Sequence, residues 1–454
     1  MEGHFPAARL REIAHGHSVP GAQLTVHQVG ETRSVAIGVA HSATAEPVTT
    51  ATAFAFGSVT KAFTATVVAQ LVSDGELDLD DPVGEYLAEF DGAADESMSS
   101  ITLRQLLSHT AGLVADHELD NVDESSLARY SASVATTAPL HDPGTCFSYS
   151  NSGYNILGRV IESVTDMKWQ AAMDNRLLRP LGFESLFLGS GDSAARESAT
   201  CHVVRPGRNG AEPVGLFLPR SWAPAGGLAG SADDLIAFAR LHLGTHPASA
   251  TLLTGDMRAA MHTRVPVAEA FGMADGWGLG LAHYASPEGD WLGHDGTVDG
   301  GTAHLRFHPR SGAAVALTAN STTGTLMWAD VVDELRALGM PVGDYRPRVP
   351  AAMPAVTAAV PAPGGLLGEY RNGDTYFSVR RDDSEGGTGL RLSDGTGLVA
   401  AMTLHEQLFF TARRLDADEA PYTGRFVSDP ATGEAALMQL GGRSARRTAA
   451  AGTA

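Results

Sequence analysis

Strand-like alternation occurs at both ends of the first 340 residues while a helical pattern fills the middle, and that order leaves few folds open. After a short helix predicted from Ala7 to His15, Val19-Pro20-Gly21 breaks into alternating segments, Gln23 to Gln28 and Arg33 to Val39. They flank Gly30 and predict a hairpin. From Ser58 the apolar positions Phe63, Val67, Val68 and Leu71 recur at helical spacing, and the helix should end near Gly75. Further helices are expected over Leu103 to Leu107, Gly153 to Val164 and Ala232 to Leu243. Strands return at Trp277 to His283, Gly300 to Phe307 and Ala313 to Ala319, and a helix over Asp330 to Leu338 closes the unit. Strands drawn from both ends of one chain can share one antiparallel sheet with helices packed on it, an α+β architecture of mixed layering.

Composition changes sharply from Pro341 to Pro363, where Pro, Ala and Val dominate with little periodicity. This reads as an extended linker over 341–363 between a unit at 1–340 and a second at 364–447. The second unit has short alternating runs separated by turns rich in Gly, Asp and Asn, the signature of a small all-β barrel or half-barrel. Residues 448–454 are Ala, Thr and Gly and are expected to be a disordered tail.

Several function classes fall away. The chain has 454 residues and a net charge near −20, which argues against nucleic acid or an anionic membrane as partner. No run of about eighteen apolar residues is present, so no membrane-spanning helix is expected. Met1 to Pro6 lacks a basic region followed by an apolar core, so a cytoplasmic location is expected. Cys146 and Cys201 are too few for a disulfide framework and too isolated for a thiolate metal site. His15 and His17 have no third ligand nearby and read as solvated surface. No metal and no cofactor is implied.

Lysine is almost absent. Of 32 basic residues, all but Lys61 and Lys168 are arginine, and Lys61 stands in Gly57-Ser58-Val59-Thr60-Lys61 at the start of a helix. Arginine stays protonated under all working conditions, whereas lysine can be pushed toward neutrality and act as a base. Positions i and i+3 share a helix face, so Ser58 and Lys61 can be a nucleophile and its proton acceptor. The task requires the lysine pKa to fall from about 10.4 toward 7, a perturbation of roughly 4–5 kcal/mol.

Three further segments give that pair a context. Pro143 to Asn151 contains Tyr149-Ser150-Asn151 ahead of a helix; Gly293-His294-Asp295-Gly296-Thr297 sits between two predicted strands; and Ile101 to Leu113 contains Ser108-His109, with His109 expected to anchor a helix end. In this order and spacing, over about residues 7 to 340, the segments resemble the serine β-lactamase and penicillin-binding-protein superfamily, whose Ser-x-x-Lys signature opens such a helix. Tyr149-Ser150-Asn151 is the Tyr-x-Asn form of the class C-like members. His294-Asp295-Gly296 stands where many members have Lys-Thr-Gly.

The resemblance implies a β-lactamase/transpeptidase-like fold with a helical subdomain, and a role for each residue. Ser58 would be the nucleophile, with Lys61 and Tyr149 sharing the proton as a coupled pair. Backbone N–H groups of Ser58 and Thr297 would form the oxyanion hole. Asn151 would hold a substrate amide and orient Lys61. A histidine at 294 is mostly neutral at pH 7 and offers one hydrogen bond where lysine offers a permanent charge, which disfavours substrates recognised by a free carboxylate.

Within the superfamily the chain is similar to the penicillin-binding-protein-type thioesterases of nonribosomal peptide biosynthesis. Those are cytoplasmic, of about this length, and end in a lipocalin-like β domain. The resemblance implies a peptidyl thioester substrate on a carrier protein, released by head-to-tail macrolactam formation. Arg446, on or after the last strand, would be a substrate contact. An esterase or a D-amino-acid-specific peptidase or amidase of the same superfamily is the alternative. A non-catalytic binding protein on this fold would have dispensed with Ser58, Lys61 or Tyr149, and all three are present.

Overall fold

The computed structural model describes residues 5–93, 95–120, 126–184, 186–188, 198–205, 210–346, 365–382, 389–415, 421–429 and 431–450. The first unit is α+β, as expected. Its sheet is made of β1 (Gly21–Gln28), β2 (Glu31–His41), β3 (Glu46–Pro47), β4 (Gly276–Trp277), β5 (Ala282–Tyr284), β6 (Trp291–Val298), β7 (Gly301–His308) and β8 (Ala313–Ala319), in the order β3-β2-β1-β8-β7-β6-β5-β4. Every neighbouring pair is antiparallel, and the two ends of the sequence meet where Ala22 faces Ala319 and His27 faces Ala314. β7 and β8 are buried along their whole length, because helices cover both faces of the sheet.

One face carries α1 (Ala7–Gly16) and α7 (Gly324–Ala337), whose Leu10, Ile13, Val331 and Leu335 join a core with Leu24, Val315 and Leu317. The other carries α2 (Thr60–Ser73) and α6 (Ala232–Leu243), and α3 (Leu103–Leu107), α4 (Leu127–Ala135) and α5 (Asn151–Thr165) form a helical layer in which α5 packs on α2, α3 and α4. Every residue of α2 from Thr60 to Leu71 is buried. A helix buried all round belongs at the centre of a layer. Phe63 stacks on Phe238 of α6 with centroids 3.9 Å apart, each such ring contributing about 2–3 kcal/mol by burial. α3 is fixed by a capping box between Thr102 and Gln105, and Ser150 caps α5 by accepting from Gly153 N–H.

Four boundaries differ from those expected. The predicted strand Trp277 to His283 is two strands, because Gly278 N–H closes a tight turn on Leu281 O and Gly280 takes a positive φ. The segment Gly293–Thr297 is part of β6 itself, not a connection between strands. α7 begins six residues before Asp330, at Gly324, without a side-chain cap to mark its start in sequence. Residues 341–346, expected in the linker, pack on the first unit: Val342 is buried, and Asp344 accepts from Arg306 and Trp328. The rest of the expected linker, 347–363, lies outside the described residues.

The second unit is a closed eight-stranded antiparallel barrel, β9 (Gly368–Asn372), β10 (Thr375–Arg381), β11 (Leu390–Asp394), β12 (Val399–Leu404), β13 (Phe409–Arg414), β14 (Tyr422–Ser428), β15 (Ala435–Leu440) and β16 (Arg443–Ala450), with β16 returning to β9. Tyr370, Leu392, Met402, Phe410, Phe426 and Met438 form its core. β16 continues through Ala450, which pairs with Gly368, so residues 448–450 close the barrel and are not tail as expected. Among the described residues no helix is long and apolar enough to cross a membrane.

Candidate active site

Ser58 stands in a 3₁₀ turn, Gly57–Val59, that runs directly into α2. Two glycines let that turn press against β6. Gly57 has φ +51°, and a Cβ there would come within 2.6 Å of Thr297 O; a Cβ on Gly296 would lie 1.9 Å from Phe56 O. No other residue allows this approach. Lys61, one turn on, donates from Nζ to Ser58 Oγ at 3.0 Å and to Ala225 O at 2.7 Å. It is fully buried and has no carboxylate within salt-bridge distance among the described residues. Burial pushes its pKa well below the usual lysine range and Arg443 adds to the effect, while Asp116 opposes it. A neutral amine hydrogen-bonded to a serine hydroxyl is the arrangement an activated nucleophile needs.

Tyr149 lies over the same amine, with Lys61 Nζ 5.0 Å from its ring centroid. Burial drives the phenol pKa up, and the neighbouring Ser58 hydroxyl and Arg443 only partly offset that. Its Oη is buried without a hydrogen-bond partner of good geometry among the described residues. Tyr149 sits in no regular element; it is held by its surroundings. His109 packs against it with the rings tilted by 34° and centroids 4.3 Å apart, and accepts Ser150 N–H on Nδ1, which gives that histidine the anchoring role expected. Trp277 packs edge-on.

His294 projects from β6 toward Tyr149, ring centroids 6.1 Å apart. Its Nδ1 lies 2.6 Å from Asp295 O, an atom that can only accept, so the proton is on Nδ1 and Nε2 carries the lone pair. Burial, reinforced by Lys61, holds its pKa down to about 3, so the ring is neutral at pH 7. Nε2 is also buried without a partner. An unpartnered donor on Tyr149 and an unpartnered acceptor on His294 thus lie on rings whose centroids are 6.1 Å apart.

Alternation along β6 sends Asp295 to the opposite face. There His304 Nδ1 donates to it at 2.6 Å, and Tyr284 and Arg306 also bond it. Burial alone would raise this carboxyl, but Arg306 and His304 hold it well below the usual range. His294-Asp295-Gly296 therefore divides three tasks: a ring in the site, an anchor beneath the sheet, and a gap for the serine turn.

Asn151 lines the cavity, yet its amide does not reach Lys61. Nδ2 donates to Asp116 Oδ1 at 2.5 Å, and Asp116 Oδ2 meets Arg443 at 2.9 Å. Arg443 comes from the barrel, just after a turn in which Gly441 and Gly442 both have positive φ. The same hairpin docks on the tyrosine segment: Tyr149 N–H donates to Gly442 O at 2.9 Å, Ser444 N–H to Ser148 Oγ, and Gln439 Nε2 to Phe147 O. The barrel is thus built into the site. Arg446, the arginine singled out from sequence, instead donates to Pro139 O at 3.3 Å and does not line the cavity. Two side chains that matter, Asp116 and Arg443, were missed; the Gly441-Gly442 pair was the signal for the second. Ser58, Asn151 and Thr297 open onto one cavity of about 380 Å³. Among the described residues no group of three metal-ligating side chains occurs.

Fold and constellation define a serine enzyme of the β-lactamase class, and residues 7–335 match the Beta-lactamase family model; the chain belongs to that family. Among individual proteins it is similar to SurE, whose crystal structure is 43% identical with a TM-score of 0.87, over 97% of this chain and 98% of that one. The crystal structure of SurE with D-Leu matches at 42% identity and TM-score 0.84, with the same shares of the two chains covered. Penicillin-binding protein 4 of Amycolatopsis lactamdurans is 36% identical over 369 residues, 78% of this chain and 95% of the relative. A D-stereospecific amidohydrolase from Streptomyces sp. is 26% identical with a TM-score of 0.58, over 70% of this chain and 94% of that one.

Proposed function

We propose that this enzyme is a penicillin-binding-protein-type thioesterase that takes a peptidyl thioester from a carrier protein onto Ser58 and releases it by head-to-tail macrolactam formation. The observation that carries this reading is the likeness to SurE over both units, barrel included. It is supported by the neutral histidine where a permanent cation would select carboxylate-bearing substrates. A cytoplasmic location, where carrier-bound thioesters are made, goes with it.

In this reading Lys61 Nζ takes the Ser58 proton as Oγ attacks the thioester carbon. The oxyanion is received by the backbone N–H groups of Ser58 and Thr297, and the coupled Lys61–Tyr149 pair returns a proton to the departing thiolate. Tyr149 Oη and His294 Nε2, neither bonded to any group among the described residues, are left to meet the substrate and the departing group. In the second half the peptide's own amine attacks the ester, its proton passes back through the same pair to Ser58 Oγ, and the C–O bond breaks. Asn151, held by Asp116, presents its amide carbonyl to the acyl chain.

The test is mass spectrometry of the protein mixed with a peptidyl thioester that has a C-terminal D-residue and a free N-terminus, with Ser58→Ala alongside. A cyclic product and an acyl-Ser58 adduct, both lost in the variant, are expected. Linear acid alone would favour the second reading, a D-specific hydrolase, which the likeness to the Streptomyces amidohydrolase supports. Arg443→Gln, which frees Asp116, is expected to lower the acylation rate about tenfold by letting Asn151 drift. The pair is more than a third exposed, so the thermal midpoint should barely move; a large drop in midpoint with unchanged acylation would contradict this.

A further inference from the structure

The charge around the Ser58 cavity is one-sided. Its two charged lining residues among those described are Glu118 and Asp299, and among the described residues neither carboxylate pairs with a cation and no Arg, Lys or His lines the cavity. The rest of the lining combines Leu216, Phe217, Trp222 and Val298 with the polar Ser58, Asn151, Ser221 and Thr297, and the Phe217 ring is 73% exposed. Two carboxylates and two aromatic side chains lining one cavity suit an organic cation flanked by apolar groups. The acids supply the charge complement, and ring faces attract ammonium groups.

We infer that this cavity mouth is a subsite for the attacking amine, which binds as an ammonium between Glu118 and Asp299 with its apolar side chain against Phe217 and Trp222. The inference rests on the cyclase reading for its purpose, but not for its physics. The bound ammonium gives one proton to water at the open mouth. The free amine nitrogen then forms the C–N bond with the acyl carbon, its second proton passes through Lys61 and Tyr149 to Ser58 Oγ, and the C–Oγ bond breaks. Because both acids are exposed, the attraction is a screened one that weakens with salt.

The test uses leucinamide, an ammonium with an apolar side chain and no carboxylate, and its neutral congener N-acetyl-leucinamide. Binding of each to Ser58→Ala protein is compared with binding to the same protein carrying Glu118→Gln and Asp299→Asn, by NMR titration at low and high salt. Leucinamide should bind about fivefold more weakly to the charge-removed protein at low salt, with the difference shrinking in salt, while the neutral congener is unaffected. Equal affinities for leucinamide, or an equal loss for both ligands, would overturn the subsite. In Ser58-intact protein, Glu118→Gln/Asp299→Asn should lower the ratio of cyclic to linear product, a quantity that slower acylation alone leaves unmoved. If leucinamide discriminates but the unsubstituted enzyme yields only linear acid, the cation subsite stands and the cyclase reading fails.

Discussion

Lys61→Arg is expected to lower acylation of Ser58 by at least about a thousandfold, although it exchanges one basic residue for the one this lysine-poor chain uses almost everywhere else. The site asks for a neutral amine. Lys61 is buried without a carboxylate partner, donates to Ala225 O and leaves Ser58 Oγ as its other contact. A guanidinium cannot give up its proton there, and its planar fork does not fit a pocket shaped for one nitrogen. The sign of the pH dependence follows. The folded-state pKa of Lys61 is lowered from the usual value, so acylation should fall as acidification through that lowered pKa converts the amine to ammonium. For stability, the unfolded chain binds a proton on Lys61 that the folded chain does not, so burying it costs stability that is regained as pH rises toward the unfolded value near 10.4. Lys61→Met should therefore be inactive yet at least as stable as the parent at pH 7. Rapid-quench acylation with a simple thioester, with thermal melts of both variants, decides this. Appreciable acylation by the arginine variant would remove Lys61 from the role of base.

What the sequence made legible follows from what leaves a local trace. Ser58 and Lys61 lie one helical turn apart, and the scarcity of lysine singled the second out. β1, β2 and α2 carry periodicities of two and 3.6 over many residues, so their existence and order could be read. Tyr149 and His294 were legible by spacing and resemblance alone. Tyr149 stands in irregular chain whose position is set by His109, Trp277 and a barrel carbonyl, none of them near it in sequence. His294 was placed between strands because Gly293 and Gly296 interrupt the pattern, but those glycines are there so that β6 can lie against its neighbour and the serine turn. Arg443 was missed for Arg446 because three residues along a strand change face and place, and only the docked hairpin decides which arginine reaches Asp116. Contacts of this kind, 300 residues apart in the chain, have no local signature.

The support beneath β6 carries the other large effect. Arg306→Met is expected to destabilise the first unit by about 3–5 kcal/mol, or roughly 5–10 °C in thermal midpoint. Arg306 is wholly buried and meets Asp295 at 2.8 Å and Asp344 at 2.7 Å, with its guanidinium 3.4 Å above the Tyr284 ring. The energy figure rests on Arg306 and the largely buried Asp344, since more than a third of the Asp295 side chain is still exposed. Removing the cation takes the shared counter-ion from both carboxylates and leaves them only the hydrogen bonds from His304, Tyr284 and Trp328, which costs far more than the intact cluster is worth. That difference supplies the control. Adding Asp295→Asn and Asp344→Asn to Arg306→Met should recover most of the lost midpoint, because the penalty is an uncompensated charge and not a lost volume. The pH dependence has a definite sign. In the parent, Asp295 is depressed, so its contribution is present above the unfolded carboxyl value near 3.9 and is lost only as pH falls through the still lower folded value. In the variant Asp295 keeps the burial that raises its carboxyl and loses the Arg306 cation that lowers it, so the penalty is relieved as pH falls, and the gap in midpoint between parent and variant should narrow from pH 7 toward pH 4. A gap that stays constant would assign the loss to packing against Tyr284 and Trp328. Since Asp295 is also what fixes the strand on which His294 rides, Arg306→Met should slow acylation even at temperatures where it stays folded, and the triple variant, which restores neutrality but not the ionic anchor, should regain stability before it regains rate.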